Sequence, residues 1–262
     1  MVSSYISPPG RATTLATHLI DLSPGDMQRR LGDALGVYVD AMRYPRGTED
    51  QRASMWLEHT RRPGWKAVAC VESPACVEGP ACVESSARVE SPAWAENPAG
   101  VEAPARGQTS APPPASARAE AGSRPEDTAA GAPALSSAPM LGVAYGYCGA
   151  PDQWWQQQVV AGLRRMGTDN DRISELLTSY FELTELHIHP RAQGRGLGEA
   201  LIRRLLEDRT EQHVLLSTPE INGEANRAWR LYRRLGFTDV IRGYHFAGDP
   251  RAFAILGRAL PL

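Results

Sequence analysis

The sequence predicts an α/β (α+β) fold. Three observations point to it. Apolar residues recur with period two in some segments and at helical spacing in others. A glycine-rich turn links one of these strands to an amphipathic helix and then to a second short strand, a βαβ arrangement. A long low-complexity stretch separates two further strand-like segments, as an enlarged hairpin loop would.

The elements follow in order. Ala16–Leu22 is a short apolar strand. Ser23 or Asp26 can cap a helix that carries Leu31, Leu35, Val39 and Met42 on one side. Tyr44-Pro45-Arg46-Gly47 breaks it. Thr48–Arg61 is a second helix with Ala53, Trp56 and Leu57 on one side. Trp65–Val71 and Met140–Cys148 are strands on either side of the low-complexity stretch. Phe181–His189 alternates and reads as a strand, Pro190–Gly198 is a turn, and Gly196–Arg209 is a helix with Leu197, Ala200, Leu201 and Leu205 on one stripe. His213–Ser217 is a buried strand, parallel to the preceding one if the βαβ unit forms. Asn226–Leu235 is a helix closed by Gly236, and Phe237–Gly257 supplies two more strands.

The 262 residues carry 28 Lys+Arg against 30 Asp+Glu, a formal net charge of −2. This balance gives no electrostatic footprint for nucleic acid or an anionic membrane. No apolar run is long enough to span a bilayer, and the first residues lack the pattern of a secretory signal, so a cytoplasmic location is expected. The four cysteines (Cys70, Cys76, Cys82, Cys148) are then expected as thiols. Lys66 is the sole lysine.

Residues 71–139 differ from the rest. They hold 11 of the 21 prolines, four Arg against nine Asp+Glu, and a single aromatic, Trp94. Such a segment has too little apolar surface to offset its ordering entropy, so residues 72–139 are expected to be a solvated, disordered linker inside one domain spanning 11–262. A period of six runs from Cys70 to Ala105 (CVESPA, CVEGPA, CVESSA, RVESPA, WAENPA, GVEAPA). The units loosely fit a left-handed β-helix, but recurring Pro and so short a stack favour a linker grown by duplication. The cysteine spacing there is not that of a zinc site.

The chemistry concentrates at Gln193-Gly194-Arg195-Gly196-Leu197-Gly198. A helix N-terminus leaves unpaired N–H groups and positive dipole density. Gly194, Gly196 and Gly198 let the backbone approach a phosphate closely, and Arg195 adds charge. A phosphate or pyrophosphate ligand is the physical expectation. The P-loop and dinucleotide fingerprints both fail: there is no Gly-Lys-Ser/Thr, and the spacing is GxGxG rather than GxGxxG. A tight turn that uses glycine only for packing is the remaining alternative.

Gln193, Gly196 and Gly198, preceded by Pro190, together with Ala228, Leu231, Tyr232, Leu235, Gly236 and Phe237 (AxxLYxxLGF), resemble the two signature blocks of the GNAT superfamily of acyl-CoA-dependent N-acetyltransferases. The resemblance is specific over residues 180–257; upstream it extends only to element order. It implies a mixed, mostly antiparallel sheet whose fourth and fifth strands splay apart around coenzyme A. It implies acetyl-CoA as co-substrate, no metal, and a small-molecule or peptide amine acceptor, with a homodimer compatible and the oligomeric state open. The alternative is a non-catalytic acyl-CoA-binding regulatory module.

The same resemblance assigns roles. The backbone of Gly194, Arg195, Gly196, Leu197, Gly198 and Glu199 would bind the pyrophosphate. Leu186, His187 and Ile188 would pair with the pantetheine arm like an added strand, one amide polarising the thioester carbonyl. Tyr232 would protonate the leaving sulfur, unless it is only a core aromatic. Glu182, eleven residues before Gln193, matches a glutamate that serves as general base in the histone-acetyltransferase branch. By alternation it shares a face with Thr184, Leu186 and Ile188, with Glu185 opposite; Glu220 is the runner-up. The family's frequent Asn seven residues before the Tyr is Ala225 here, and Asn226 one residue later can cap the helix and reach the cofactor. His187 and His189 form an HxH on one strand face with no third ligand nearby, so they read as surface or acceptor-lining residues rather than as a metal site. Tyr145, Tyr147, Trp154, Trp155 and the loop 149–158 are the acceptor-side candidates, with core packing the competing reading.

Overall fold

The computed structural model describes residues 15–74, 137–221 and 226–262. The hexad repeat beyond Pro74, Cys76, Cys82, Trp94 and Ala225 lie outside the described residues.

Strand β1 (Leu15–Leu22) leads into α1 (Pro24–Arg29) and α2 (Leu31–Met42). The single helix expected here is two. Ser23 and Asp26 form a reciprocal capping box, Oγ accepting from the Asp26 amide and the carboxylate from the Ser23 amide, with Pro24 at the first turn. The chain then bends at Arg30, whose buried guanidinium donates to the Ala138 carbonyl at 2.5 Å. Arg43, at φ 57°, closes α2 in the left-handed region. Helix α3 (Glu49–His59) returns to β2 (Lys66–Pro74).

Glu72, Ser73 and Pro74 belong to β2, not to the insert: Pro74 pairs with Leu15 and Glu72 with Thr17. The Glu72 amide also donates to the Pro139 carbonyl at 2.9 Å. The two ends that flank the insert are therefore adjacent. Strand β3 (Met140–Cys148) follows. The loop expected over 149–158 turns helical at Trp154, where α4 (Trp154–Arg165) begins; α5 (Asn170–Leu177), capped by Asp169, follows in a stretch for which the sequence suggests no element. Then come β4 (Tyr180–Ile188), α6 (Leu197–Leu206), β5 (His213–Pro219), α7 (Arg227–Arg234), β6 (Thr238–Tyr244) and β7 (Phe253–Ala259).

The seven strands form one sheet in the order β1-β2-β3-β4-β5-β7-β6. Every pairing is antiparallel except β4–β5, which is parallel, as the βαβ reading requires. That parallel pairing is short: Tyr180, Phe181 and Glu182 meet His213, Val214 and Leu215, and then the strands part. The mixed sheet splayed between its fourth and fifth strands is thus present.

Helices α6 and α7 cover one face through Leu201, Ile202, Leu205, Trp229 and Tyr232. Helices α1–α3 cover the other face of β2 and β3 through Leu35, Tyr38, Trp56 and Tyr145. Helices α4 and α5 pack Val159, Leu163 and Ile173 against Leu215, Ile241 and Ile255. Lys66 donates to the Glu207 carbonyl at 2.8 Å.

One irregularity governs the site. Along β3–β4, Tyr145 faces Glu185 but Gly146 faces Leu183, so Thr184 is an extra residue, a β-bulge. Gly146 makes room for it: a Cβ there would lie 2.1 Å from the Glu182 carbonyl oxygen. Gly146→Ala should therefore lower stability by about 1–3 kcal/mol, read as a lower urea midpoint, because neither backbone can yield cheaply.

Candidate active site

The parting of β4 and β5 opens a cleft of about 1450 Å³, lined by Glu182–Ile188, the end of β5, the head of α6 and one side of α7. Its edges are set by the strand chemistry. The His189 amide donates to Leu141 on β3, so by alternation the His187 peptide also faces β3, while Leu186 and Ile188 turn theirs toward the opening. Of the three β4 positions expected to offer backbone groups, His187 thus spends its own inside the sheet.

At the end of this open edge the chain turns into α6. Gly194 and Gly196 both have positive φ (84° and 80°), the second as the residue before the helix. Nothing lies within 4 Å of a Cβ built on either, so the turn is bare on the side it presents. The first amide with a backbone acceptor is that of Ala200, bonded to the Gly196 carbonyl. The amides of Leu197, Gly198 and Glu199 find no backbone acceptor among the described residues, which leaves a concentrated donor group at the positive end of a ten-residue helix. Such a row can satisfy a phosphate or pyrophosphate.

Two side chains in this turn look elsewhere. Arg195 does not line the cleft: its Nη2 donates to Thr17 Oγ1 at 2.8 Å and its Nη1 lies 3.8 Å from Glu72. Its contribution at the turn is its amide, not the added charge expected from sequence. The Glu199 carboxylate lines the cleft but is held by Arg203 and Arg234, which keep it ionised below the usual carboxylate range. Gln193 ties the turn to its neighbours, donating to the Ile188 carbonyl (3.1 Å) and accepting from Arg227 (3.2 Å). Asn226 caps α7 by accepting from the Ala228 amide at 2.9 Å, and it also lines the cleft.

Tyr232 reaches the cleft from α7. Its ring packs on Phe237 at 5.6 Å, and its hydroxyl has no hydrogen-bond partner among the described residues. Burial, with a smaller contribution from the Glu185 charge, raises its phenol above the ordinary value, so it holds its proton through neutral pH.

Glu182 is 4% exposed. Its Oε1 accepts from the Tyr147 hydroxyl at 3.4 Å, and its Oε2 is buried with no partner among the described residues. Desolvation pushes the carboxyl up to about 8; Arg62, stacked 4.7 Å over the Tyr147 ring, opposes the shift. The bulge at Thr184 breaks the alternation counted along the sequence. Glu182 does not share a face with Leu186 and Ile188; it shares one with Glu185 and His187, which pack toward Tyr38. Sequence reasoning therefore placed Glu185 on the wrong side. The missed signal was Gly146, one of two glycines inside β3, since a glycine within a strand marks a bulge or a close backbone approach.

Tyr147, Trp154 and Trp155 line the cleft, and Tyr145 does not: its hydroxyl sits 3.1 Å from His59 Nδ1 inside the core. Burial lowers His59 to about 4, so it is neutral. Glu220 is occupied, accepting from Arg242 at 2.7 Å and from the Gly243 amide, and it does not line the cleft. His187 is bonded to Glu185, and His189 Nε2 lies 3.2 Å from Asp40. Among the described residues no group of three or more His, Cys, Asp or Glu is placed to hold a metal, and no helix is long and apolar enough to cross a membrane.

An acetyltransferase (GNAT) domain family model matches residues 150–239, which contain β4, the glycine turn and α7. The GCN5-like protein acetyltransferase Rv2170 of Mycobacterium tuberculosis is 62% identical over 248 residues, covering 95% of this chain and 100% of that protein. Among solved structures, a GCN5-related N-acetyltransferase from Kribbella flavida is 13% identical with a TM-score of 0.47, covering 94% of this chain and 98% of that one. NAA60 of Arabidopsis thaliana, in complex with acetyl-CoA, is 12% identical with a TM-score of 0.46, covering 94% and 99%. With a full-length relative of that identity and a family match over the splayed strands, the chain belongs to the GNAT acetyltransferase family and is an acyltransferase.

Proposed function

We propose that this protein transfers the acetyl group of acetyl-CoA to a primary amine of a protein, by direct attack of the amine on the thioester. One observation carries the reading. The unpaired amides at the head of α6, the open edge of β4, Tyr232 and the half-satisfied carboxylate of Glu182 all converge on one cleft. The printed name of the 62% identical relative, a protein acetyltransferase, supports a protein amine as acceptor.

The amides of Gly194 to Glu199 hold the pyrophosphate, with Asn226 beside it. The backbone groups of Leu186 and Ile188 pair with the pantetheine arm, and one amide polarises the thioester carbonyl. The acceptor enters as an ammonium and must lose a proton before it can attack. Glu182 takes that proton. The neutral nitrogen bonds to the carbonyl carbon, the C–S bond breaks, and Tyr232 protonates the departing sulfur. The second proton lost by nitrogen replaces the one Tyr232 gave, and the first leaves Glu182 for solvent. No cysteine among the described residues lines the cleft, which favours direct attack over an acyl-enzyme.

Calorimetry with desulfo-CoA tests the binding half, and thiol release with lysine-bearing peptides tests the transfer. Heat of binding followed by amine-dependent release is expected. A natively melting protein that gives no heat overturns the reading.

The catalytic unit is proposed to need only the residues on either side of the insert. Because Glu72 and Pro139 are hydrogen-bonded, a short Gly/Ser loop can replace 75–136. That variant should keep turnover within about threefold, since closing a hairpin costs little. A larger loss would give the insert a functional part.

A further inference from the structure

The bulge at Thr184 brings two carboxylates three residues apart onto one wall of the cleft. Glu185 is well covered, its side chain 13% exposed, and its Oε2 lies 2.5 Å from Nε2 of His187. His187 is itself fixed by ring contacts, edge-on to Tyr38 at 4.9 Å and stacked toward Trp56 at 6.4 Å. Beside them the buried Oε2 of Glu182 has no partner among the described residues. Of the cationic groups that share this wall, Arg52 sits 5.6 Å over Tyr38, and Arg62 lies over Tyr147 and pairs with Glu58 at 3.4 Å. Neither forms an ion pair with Glu182 or Glu185 among the described residues.

A pocket wall with two inward carboxyl groups, Glu185 held by His187 and Glu182 with one oxygen lacking a partner among the described residues, is suited to an entering cation. We propose that Glu185, oriented by His187, anchors the acceptor as its ammonium ion, and that this carboxylate makes the site selective for cationic amines. The inference rests on the acetylation reading above. It divides the labour between the two glutamates. Glu185 contacts the ammonium on arrival, and Glu182 removes its proton. His187 is a positioning residue, acting through the carboxylate it holds.

The test compares a lysine peptide with the matching peptide hydrazide, which is a nucleophile but uncharged at pH 7. Using the full chain, Glu185→Gln should raise the ratio of lysine-peptide KM to hydrazide KM about 10- to 100-fold, the scale of a lost charge-assisted hydrogen bond. His187→Ala should shift the ratio in the same direction, and His187→Gln, which keeps an N–H donor, should restore part of it. An active Glu185→Gln enzyme with an unchanged ratio overturns the proposal and leaves the acetylation reading standing. Wild-type protein that transfers acetyl to no amine overturns both. If Glu185→Gln does not fold, competition in the wild type decides. Butylammonium should inhibit competitively against the lysine peptide and butanol should not; equal inhibition by the two sinks the proposal.

Discussion

Glu182→Gln should lower kcat by about 10²- to 10⁴-fold, the range for removal of a positioned general base. The variant should also lose a feature of the pH profile. Glu182 works as a base only when ionised, and burial lifts its carboxyl from 4.5 to about 8. In the wild type, kcat/KM for the acceptor should therefore climb with pH through a midpoint near 8. In the glutamine variant that midpoint should vanish. Stability should move the other way. A carboxyl whose folded pKa is raised stabilises fully below its unfolded value of 4.5, and that contribution is lost as pH rises through about 8. The neutral amide has no such loss. Thermal melts should thus show the variant gaining on the wild type between pH 6 and pH 9. An inactive variant that melts lower at pH 9 would indicate damage to the fold rather than loss of a base.

Tyr232→Phe is the second large effect. Turnover should fall by about 10²-fold or more as the proton donor to sulfur is removed. Desulfo-CoA affinity should change little, because the ring and its packing on Phe237 remain. The melting temperature should also hold. The hydroxyl has no partner among the described residues, so its removal strands no buried acceptor. Calorimetry and kinetics on the same preparation separate the outcomes. Unchanged turnover would reduce Tyr232 to a core aromatic, and lost coenzyme affinity would move its role from acid to binding.

Local signals made the second half of the chain readable. Gly194 and Gly196 between a strand and a helix specify a turn bare of side chains, and the structure has it, whereas Gly198 lies inside α6, where a Cβ would lie 3.0 Å from Leu231, so its role is close packing. Gly236 at φ 82° stops α7 where expected. Ser23 and Asp26 mark the first cap, but Leu31, Leu35 and Val39 all belong to α2, beyond the bend at Arg30, so joining that cap to that apolar stripe merges two helices into one. Two things could not be read so simply. Period-two counting fails wherever a strand carries an extra residue, and Thr184 is one, so the face of Glu185 came out reversed. Side-chain direction at an exposed arginine depends on distant partners; Arg195 turns to Thr17 and Glu72, which are far away in sequence. The start of α4 reads as part of a loop over 149–158 because Gln156, Gln157 and Gln158 mask the spacing of Trp155, Val159 and Leu163, and the stretch of α5 suggests no element at all.

The proposed activity targets amines, yet the chain is almost without them on its side chains. Lys66 is alone, every other basic residue apart from histidine being arginine, and its nitrogen is engaged with the Glu207 carbonyl. Guanidinium groups stay protonated at physiological pH and are not acetylated by this chemistry. The enzyme therefore offers itself little to label. Under the proposed activity its surface guanidinium groups should stay unmodified, and self-acetylation of side chains has a single lysine on which to register.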